Sequence, residues 1–183
     1  MPQAKHALTD QDYLALTDDR RFELIEGELC MVPSPGFFHQ AIARNLGFIL
    51  WQHVKSHDLG VILLAPMDVA LSDHDVVQPD VLFISKARRE IITDTCIRGA
   101  PDLVIEVVSA ANRERDLLVK KGLYARHHVR EYWIVDPESR TVEPLTRSGG
   151  GFLSRGLFSP GETLESAELP GLLLPVAQLF EPL

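Results

Sequence analysis

Cysteine is scarce in this chain of 183 residues, and long apolar runs are absent. Cys30 and Cys96 could form at most one disulfide, and they lack the spacing of a metal-binding pair, so we expect two free thiols. No stretch approaches the roughly 18 apolar residues that cross a bilayer, which argues against a membrane partner. Residues 1–9 lack the apolar core of a signal peptide. We therefore expect a cytoplasmic protein.

Positive charge is also in short supply. The chain has 18 Lys and Arg against 26 Asp and Glu, a net charge of −8. This disfavours a protein that coats nucleic acid non-specifically, because such binding depends on neutralising phosphates. Residues 113–130 are an exception, with six basic and two acidic residues. A basic segment beside carboxylates would suit a phosphate-bearing substrate, and a solvated helix face is the commoner explanation.

The composition is that of an ordinary globular protein, with 45% hydrophobic and 24% charged residues. This length supports one well-packed core, so we expect a single domain over residues 1–183. Between His39 and about His57, apolar residues recur at helical spacing and predict a long helix. Leu103–Val108 is apolar on both faces apart from Glu106, which predicts a central strand covered on both sides.

The remaining pattern alternates short elements with turn residues. Thr9 to about Thr17 predicts a short capped helix, and Glu26-Gly27 predicts the turn of a hairpin. The other expected elements are a hairpin of Arg21–Ile25 with Glu28–Val32, extended segments at Val61–Ala65, Asp68–Leu71 and Val76–Ile84, a helix from Asn112 to about His127, a strand at Glu131–Val135, a hairpin of Thr141–Leu145 with Gly151–Leu157, and a short helix or strand at Leu173–Phe180. Trp51 and Trp133 are expected in the core. This order predicts an α/β or α+β domain with a mixed sheet covered by helices.

Two acidic residues accompany strand-like runs. Asp80 follows Pro79 at the start of one run, and Glu106 interrupts the apolar Leu103–Val108. An unpaired carboxylate inside a buried strand is costly, so Glu106 needs a partner. A buried salt bridge to an arginine would supply one, and Asp80 could be an ordinary strand-end residue. Alternatively, two carboxylates on neighbouring strands could hold a hard divalent cation and a water, as phosphodiester hydrolysis requires.

A lysine on the following helix could complete this site. Asp116, Lys120 and Tyr124 are four residues apart and share one helix face. If that face packs over the end of the Glu106 strand, the Lys120 ammonium could orient a water and neutralise developing charge. A surface ion pair between Asp116 and Lys120 is the simpler alternative.

Glu23, in the first hairpin, and His39, at the start of the long helix, are supporting candidates. Each fits an ordinary role, as strand surface or as a polar helix cap. Strand ends and helix starts are also common positions for site residues, so either side chain could approach the cluster.

Read in order, these segments resemble the Uma-type restriction endonuclease family, which belongs to the PD-(D/E)XK nuclease superfamily. The likeness covers roughly Leu8 to Pro137, and the ordered set is more specific than any one fragment. The segments that carry it are Phe22–Leu29, Ser34-Pro35, His39-Gln40, Gln78-Pro79-Asp80, Pro101–Ser109, Asp116, Lys120, Leu123-Tyr124-Ala125 and Glu131–Pro137.

The resemblance implies a restriction-endonuclease-like core, a central mixed sheet flanked by helices, with Mg²⁺ or Mn²⁺ bound at one edge. Hairpins would be added near both ends of the chain. Asp80 and Glu106 match the acidic metal ligands, and the carbonyl of Val107 would be a further ligand. Glu23 and His39 correspond to the acidic residue and the histidine of the family's first conserved blocks.

One position departs from the superfamily pattern. A lysine is expected two residues after the glutamate, and Val108 stands there. The resemblance implies that Lys120, on the next helix, takes over the role of this lysine.

These observations predict a Mg²⁺-dependent endonuclease that hydrolyses DNA, with a homodimer as the expected assembly. A non-catalytic interaction or structural module on the same fold is the alternative, favoured by the charge of −8 and by Val108. Hydrolysis of RNA or another phosphate ester is a third possibility that the sequence leaves open.

Overall fold

This computed structural model describes residues 7–18, 20–109 and 115–181, without the side chains of residues 115–117. The strands in this part of the chain are β1 (Phe22–Ile25), β2 (Glu28–Met31), β3 (Gly60–Leu64), β4 (Val69–Ser72), β5 (Asp75–Val77), β6 (Val81–Ser85), β7 (Ile97–Arg98), β8 (Leu103–Val107), β9 (Glu131–Asp136), β10 (Thr141–Ser148), β11 (Gly151–Ser154), β12 (Thr163–Glu165) and β13 (Leu173–Pro175). The helices are α1 (Asp10–Leu14), α2 (Phe37–Ser56) and α3 (Lys121–Arg126). A π-helical segment, Arg115–Lys120, precedes α3, and 3₁₀ segments occur at Lys86–Ile91 and Val176–Leu179.

The central sheet has six strands in the order β11-β10-β9-β8-β6-β3. Only the β8–β9 pair is parallel, and the other neighbours in this sheet are antiparallel. All five residues of β8 are buried, as predicted for a central strand. Leu46 and Leu50 of α2 pack on one face of the sheet, in a cluster with Phe83 and Trp133. On the other face, Leu123 of α3 belongs to a second apolar cluster.

A five-stranded sheet, in the order β2-β1-β5-β4-β7, contains the predicted first hairpin. Glu26 and Gly27 form its turn with φ of 52° and 78°, the left-handed conformation that favours glycine. A Cβ on Gly27 would lie 2.7 Å from the Cβ of Ala7, so the turn also lacks room for a side chain. A capping box at Thr9 begins α1, as the sequence indicates.

The segment Val76–Ile84, predicted as one strand, is divided between the two sheets. Residues 75–77 form β5 in the five-stranded sheet, and residues 81–85 form β6 in the central sheet. Pro79 has no N–H with which to continue a ladder, and the chain crosses from one sheet to the other around it. The prediction of a single strand was wrong, and the break sets Asp80 directly before β6.

Of the other predictions, the one about the cysteines was confirmed, and those about buried residues and element boundaries were confirmed only in part. Trp133 is fully buried as expected, but Trp51 is 48% exposed on α2, so its assignment to the core was wrong. The helix expected from Asn112 begins outside the described residues, and its described part changes from π-helical to α-helical at Lys121. Leu173–Phe180 contains both a strand, β13, and a 3₁₀ segment. Cys30 and Cys96 are free thiols.

The fold is therefore of the mixed α+β class, a mixed central sheet flanked by helices, with hairpins near both ends. This confirms the predicted fold class. In the described part of the chain, no helix is both long and apolar enough to span a membrane.

A candidate active site at the ends of β6 and β8

Asp80 and Glu106 lie at adjacent positions on neighbouring strands. The antiparallel register pairs Val81 with Ile105, so one further step sets Asp80 opposite Glu106. Asp80 Oδ2 also accepts a hydrogen bond of 2.7 Å from the Val107 N–H. The break at Pro79 and the pairing of β6 with β8 thus bring the two carboxylates to one end of the central sheet.

Lys120 joins Glu106 to a third carboxylate. Its Nζ lies 2.9 Å from Glu106 Oε1 and 2.8 Å from Glu23 Oε1. These three side chains are almost wholly buried, with at most 3% of each residue exposed. Glu23 belongs to β1 of the five-stranded sheet, so the ammonium holds the two sheets together at this point. Among the described residues, Lys120 is a cationic partner of buried Glu106.

Tyr124 fixes the orientation of Glu106 from the same helical segment. Its hydroxyl donates a hydrogen bond of 2.6 Å to Glu106 Oε1, one turn beyond Lys120. Burial, and next the negative charge of Glu106, raise the pKa of Tyr124 well above its usual value. The phenol therefore stays protonated and remains a donor over the physiological pH range.

His39 and Gln78 hold the other two carboxylates. His39, in the first turn of α2, sets Nε2 3.1 Å from Asp80 Oδ2. Its Nδ1 is buried and has no hydrogen-bond partner within the described part of the chain. The backbone N–H of Gln78 donates a hydrogen bond of 3.0 Å to Glu23 Oε1. Each candidate carboxylate is thus oriented by a donor from a different element.

A cleft of about 130 Å³ gives access to these groups. The residues around it are Arg21, Glu23, Val32, Pro33, Ser34, Pro35, Gly36, His39, Gln78, Asp80, Glu106, Val107, Ser109 and Lys120. The Asp80 and His39 side chains retain 15% and 14% of their surface. Glu106 and Lys120 lie deeper, so a ligand entering the cleft meets Asp80 first.

The donor atoms fit a hard divalent cation. Within the described residues, Asp80 Oδ1 accepts no hydrogen bond, because the Val107 N–H and His39 both contact Oδ2. Asp80, Glu106 and Val107 border one cleft and would offer carboxylate and carbonyl oxygens. No group of three or more His, Cys, Asp or Glu side chains in the described part is arranged as a metal site. Two carboxylates are nonetheless typical for Mg²⁺, which keeps several waters.

Other buried carboxylates of the sheet have structural partners instead. Asp102, at the opposite end of β8, accepts a hydrogen bond from the Ser85 N–H and pairs with Arg88 and Arg130. Glu131 on β9 accepts hydrogen bonds from the Trp133 indole and from neighbouring donors. These acids lie at the other end of β8 and β9, outside the cleft lining.

Six of the seven predicted site residues thus border one cleft: Asp80, Glu106, Val107, Lys120, Glu23 and His39. The Asp116 side chain falls outside the described part of the structure. Sequence reasoning missed the role of Tyr124 as a donor to Glu106, although the four-residue spacing from Lys120 indicated the shared face. It also missed Arg21, which lines the cleft and donates from Nε to Gln78 Oε1 at 3.0 Å.

A mixed sheet whose adjacent strand ends carry two carboxylates, with a lysine against them, defines a protein of the restriction-endonuclease-like class. A sequence model of the Uma2 family, described as "Putative restriction endonuclease", matches residues 10–177. The chain therefore belongs to this family. No curated protein matches the chain significantly.

A solved structure has the same fold. It is the crystal structure of a putative nuclease belonging to DUF820 from Anabaena variabilis, with a TM-score of 0.79 and 22% sequence identity. The match covers 94% of this chain and 97% of that one. The two chains thus share their architecture over nearly their whole lengths.

Proposed function

We propose that this protein is a divalent-metal-dependent endonuclease that hydrolyses DNA phosphodiester bonds. One observation carries the proposal: the Lys120 ammonium lies 2.9 Å from Glu106, which stands beside Asp80 at the end of the central sheet. Three separate segments supply these groups, and all three border one cleft. The family description as a restriction endonuclease supports the same reading.

Asp80, Glu106 and the Val107 carbonyl would hold Mg²⁺ or Mn²⁺. A divalent ion bound there would polarise a phosphate oxygen and lower the pKa of a coordinated water. The side chain of Asp80 suits this role because Oδ2 is fixed by the Val107 N–H and His39, which leaves Oδ1 for a ligand.

Lys120 would hold the attacking water and offset the negative charge that grows on the phosphate. The water oxygen adds to phosphorus as one ester P–O bond breaks, and the water's proton leaves to the departing oxygen or to solvent. Glu23 positions Lys120 through their 2.8 Å contact, and Tyr124 positions Glu106. These contacts hold the catalytic groups in place before substrate arrives, which is the condition for an electrostatic contribution to the rate.

Arg21 offers a guanidinium at the cleft for a substrate phosphate, and Gln78 holds it by a 3.0 Å hydrogen bond. Because the chain carries a net charge of −8, we expect few further phosphate contacts and weak non-specific binding. DNA would be engaged locally around the cleft.

The decisive experiment is a nicking assay on supercoiled plasmid with Mg²⁺ or Mn²⁺. We expect the wild type to nick DNA, and Asp80→Asn and Lys120→Gln to lose about 100-fold or more in rate. Lys121→Gln is the matched control, because it removes the same charge one residue away and outside the cleft lining. It should keep wild-type activity. Equal nicking by all four proteins would reveal a contaminant, and no nicking by the wild type would overturn the proposal.

A non-catalytic module on this fold is the second candidate. The observation that favours it is that Lys120 is 3% exposed and already paired with two carboxylates, as in a structural ion cluster. Val108, at the position where the superfamily has its lysine, points the same way. An inactive wild type that still retains DNA in a filter-binding assay would support this function, and cleavage of RNA alone would assign a different phosphodiester substrate.

A further inference from the structure

The strand β3 leaves one side of its backbone without a β-partner in the described part of the chain. It forms the edge of the central sheet and pairs only with β6 there. The Ala65 N–H donates to the Asp80 carbonyl, and the Lys86 N–H donates to the Leu59 carbonyl. Bonded positions alternate along an antiparallel pair, so Val61 and Leu63 also bond to β6. The N–H and C=O groups of the residues between them point away from the sheet.

These outward positions are Gly60, Ile62 and Leu64, and they are symmetric about Ile62. If a second β3 ran antiparallel to the first with Ile62 opposite Ile62, Gly60 would face Leu64 and Leu64 would face Gly60. Each pair could exchange both of its hydrogen bonds, about six bonds in all. The edge is therefore complementary to itself.

Nothing in β3 protects the edge from such pairing. Soluble proteins usually guard an edge strand with charge, proline or a bulge. β3 is Gly-Val-Ile-Leu-Leu, without a charged residue, and its ladder with β6 is regular. The outer strand at the other edge of this sheet, β11, contains two small residues, Gly151 and Ser154, and is followed by Arg155.

Large apolar side chains continue this edge onto α2. Phe48 is 64% exposed, Trp51 is 48% exposed and Leu64 is 46% exposed. A Cβ at Gly47 would lie 2.9 Å from Leu64 Cδ2, so Gly47 leaves room for the Leu64 side chain against α2. Together these residues border a groove of about 500 Å³ between α2 and β3. Exposed apolar patches of this kind mark association surfaces.

We propose that β3 and the adjoining face of α2 form the interface of a two-fold symmetric homodimer, in which two β3 strands pair about Ile62. The six-stranded sheets of two copies would join into one sheet of twelve strands. Around the axis, Phe48, Trp51 and Leu64 of each copy would meet the same residues of the other. Such an isologous contact closes with two copies and leaves no open edge at β3.

A second copy fits this surface because both of its components repeat under the two-fold axis. The backbone positions match themselves about Ile62, and the apolar flank faces an identical flank. Phe48 and Trp51 would bury about 200 Å² or more per copy. The strand edge and the polar residues of α2 would contribute the rest of the roughly 800 Å² per partner that a stable interface needs.

The interface would adjoin the candidate active site without depending on its chemistry. Asp80 borders the same groove, and its carbonyl accepts the Ala65 N–H directly beyond β3. Dimerisation would therefore cover the part of Asp80 that borders this groove. This inference does not depend on the proposed nuclease function.

Sedimentation equilibrium of the whole chain over about 1–100 μM tests the proposal. We expect the wild type to have twice the chain mass of 20.4 kDa. Leu64→Lys on β3 and Phe48→Lys on α2 should each raise the dissociation constant at least 100-fold. Leu153→Lys is the matched control, since Leu153 is as exposed as Phe48 but lies on the opposite edge strand. It should remain dimeric.

Amide hydrogen exchange provides a second readout that misfolding would not imitate. In the wild type, the amides of Ile62 and Leu64 should be protected, and Phe48→Lys should expose them selectively. The amides of Val61 and Leu63, bonded to β6, should stay protected in both proteins. A wild type of 20.4 kDa at every concentration would overturn the proposal, and so would a dimer that both substitutions leave intact. Rapid exchange of Ile62 in a stable dimer would exclude this strand as the contact.

Discussion

The Lys120 ammonium lies 2.9 Å from the Glu106 carboxylate. Glu106 is near the end of β8, and Lys120 belongs to the helical segment that follows it in the sequence. Glu23 contacts the same ammonium from the other sheet at 2.8 Å. Burial removes water from all three charges, and the contacts between them offset part of that cost. The cluster thus holds the site in place, and changing one member should lower the free energy of unfolding considerably.

Removing the ammonium should be costly. Lys120→Met would leave Glu23 and Glu106 buried without their shared cation, so we expect the free energy of unfolding to fall by about 3–5 kcal/mol. Lys121→Met should change it by less than about 0.5 kcal/mol, as is usual away from such features. Urea denaturation measures both values. A loss below about 1 kcal/mol at Lys120 would contradict the view that the cluster holds the two sheets together.

Metal affinity should depend on the two carboxylates at the strand ends. We expect Asp80→Ala combined with Glu106→Ala to weaken Mn²⁺ binding at least 10-fold in isothermal titration calorimetry, because oxygen ligands are lost directly. Asp94→Ala removes an exposed carboxylate outside the cleft lining and serves as control. Unchanged Mn²⁺ binding in the double variant would discard the proposed metal site.

The hydroxyl of Tyr124 should be coupled to Glu106. Tyr124→Phe removes a 2.6 Å hydrogen bond to a carboxylate and should cost about 1.5–3 kcal/mol of stability. In a double-mutant cycle with Glu106→Gln, the interaction energy should be of similar size. For the proposed nuclease we expect a lower kcat and little change in KM, since Tyr124 would position a metal ligand. Additive effects in the cycle would show that the contact is energetically unimportant.

The carboxylate of Asp75 should contribute to stability at neutral pH. Burial raises its pKa, but hydrogen bonds from the Glu26 N–H, the Ser72 hydroxyl and His127 outweigh burial and leave the pKa below its usual value. The ionised form is thus favoured in the folded state, and its contribution is lost as the pH falls from about 4 through the lowered pKa.

We therefore expect Asp75→Asn to lose about 1–3 kcal/mol at pH 7, with a shallower decline in stability below pH 4 than the wild type shows. Urea denaturation at pH 7, 5, 4 and 3 compares the two. Parallel curves across this range would refute the assigned role.

Tyr13 should affect stability at the alkaline end. Burial, and then the charge of Asp68 at 2.9 Å, raise the pKa of its hydroxyl well above the usual value near 10. The neutral form is favoured in the folded state, so its contribution is complete below pH 10 and is lost as the pH rises through the raised pKa. Tyr13→Phe should flatten the loss of stability between about pH 10 and 11. Thermal unfolding from pH 8 to 11 provides the measurement.

The local part of the fold followed from residue patterns. Glu26-Gly27 predicted the first hairpin because few residues tolerate a positive φ, and Leu103–Val108 predicted the central strand because it offers no polar face. The division of Val76–Ile84 was missed, because apolar residues on both sides of Gln78-Pro79 read as one strand. The sheet that each half joins is set by its pairing with strands far away in the sequence. The local residue pattern does not contain this information.

The candidate site shows the same limit. The helical spacing indicated that Lys120 and Tyr124 share a face, but the length of the Lys120 side chain and the approach of β1 decide that Glu23 completes the cluster. Trp51 was expected in the core as a large aromatic residue, but it follows Leu50 of the apolar stripe by one position and is 48% exposed. The helical pattern did not predict that this face of α2 would expose a tryptophan.

The helix α2 is one uninterrupted rod of 20 residues, about 30 Å in length, without an internal proline. His39, close to its first residue, touches Asp80, while Phe48 and Trp51 stand two to four turns further along. A substitution that tilts this helix should therefore displace the His39 imidazole as well as the aromatic rings. If β3 and α2 form the proposed dimer interface, relatives that assemble differently should show compensating changes around position 39.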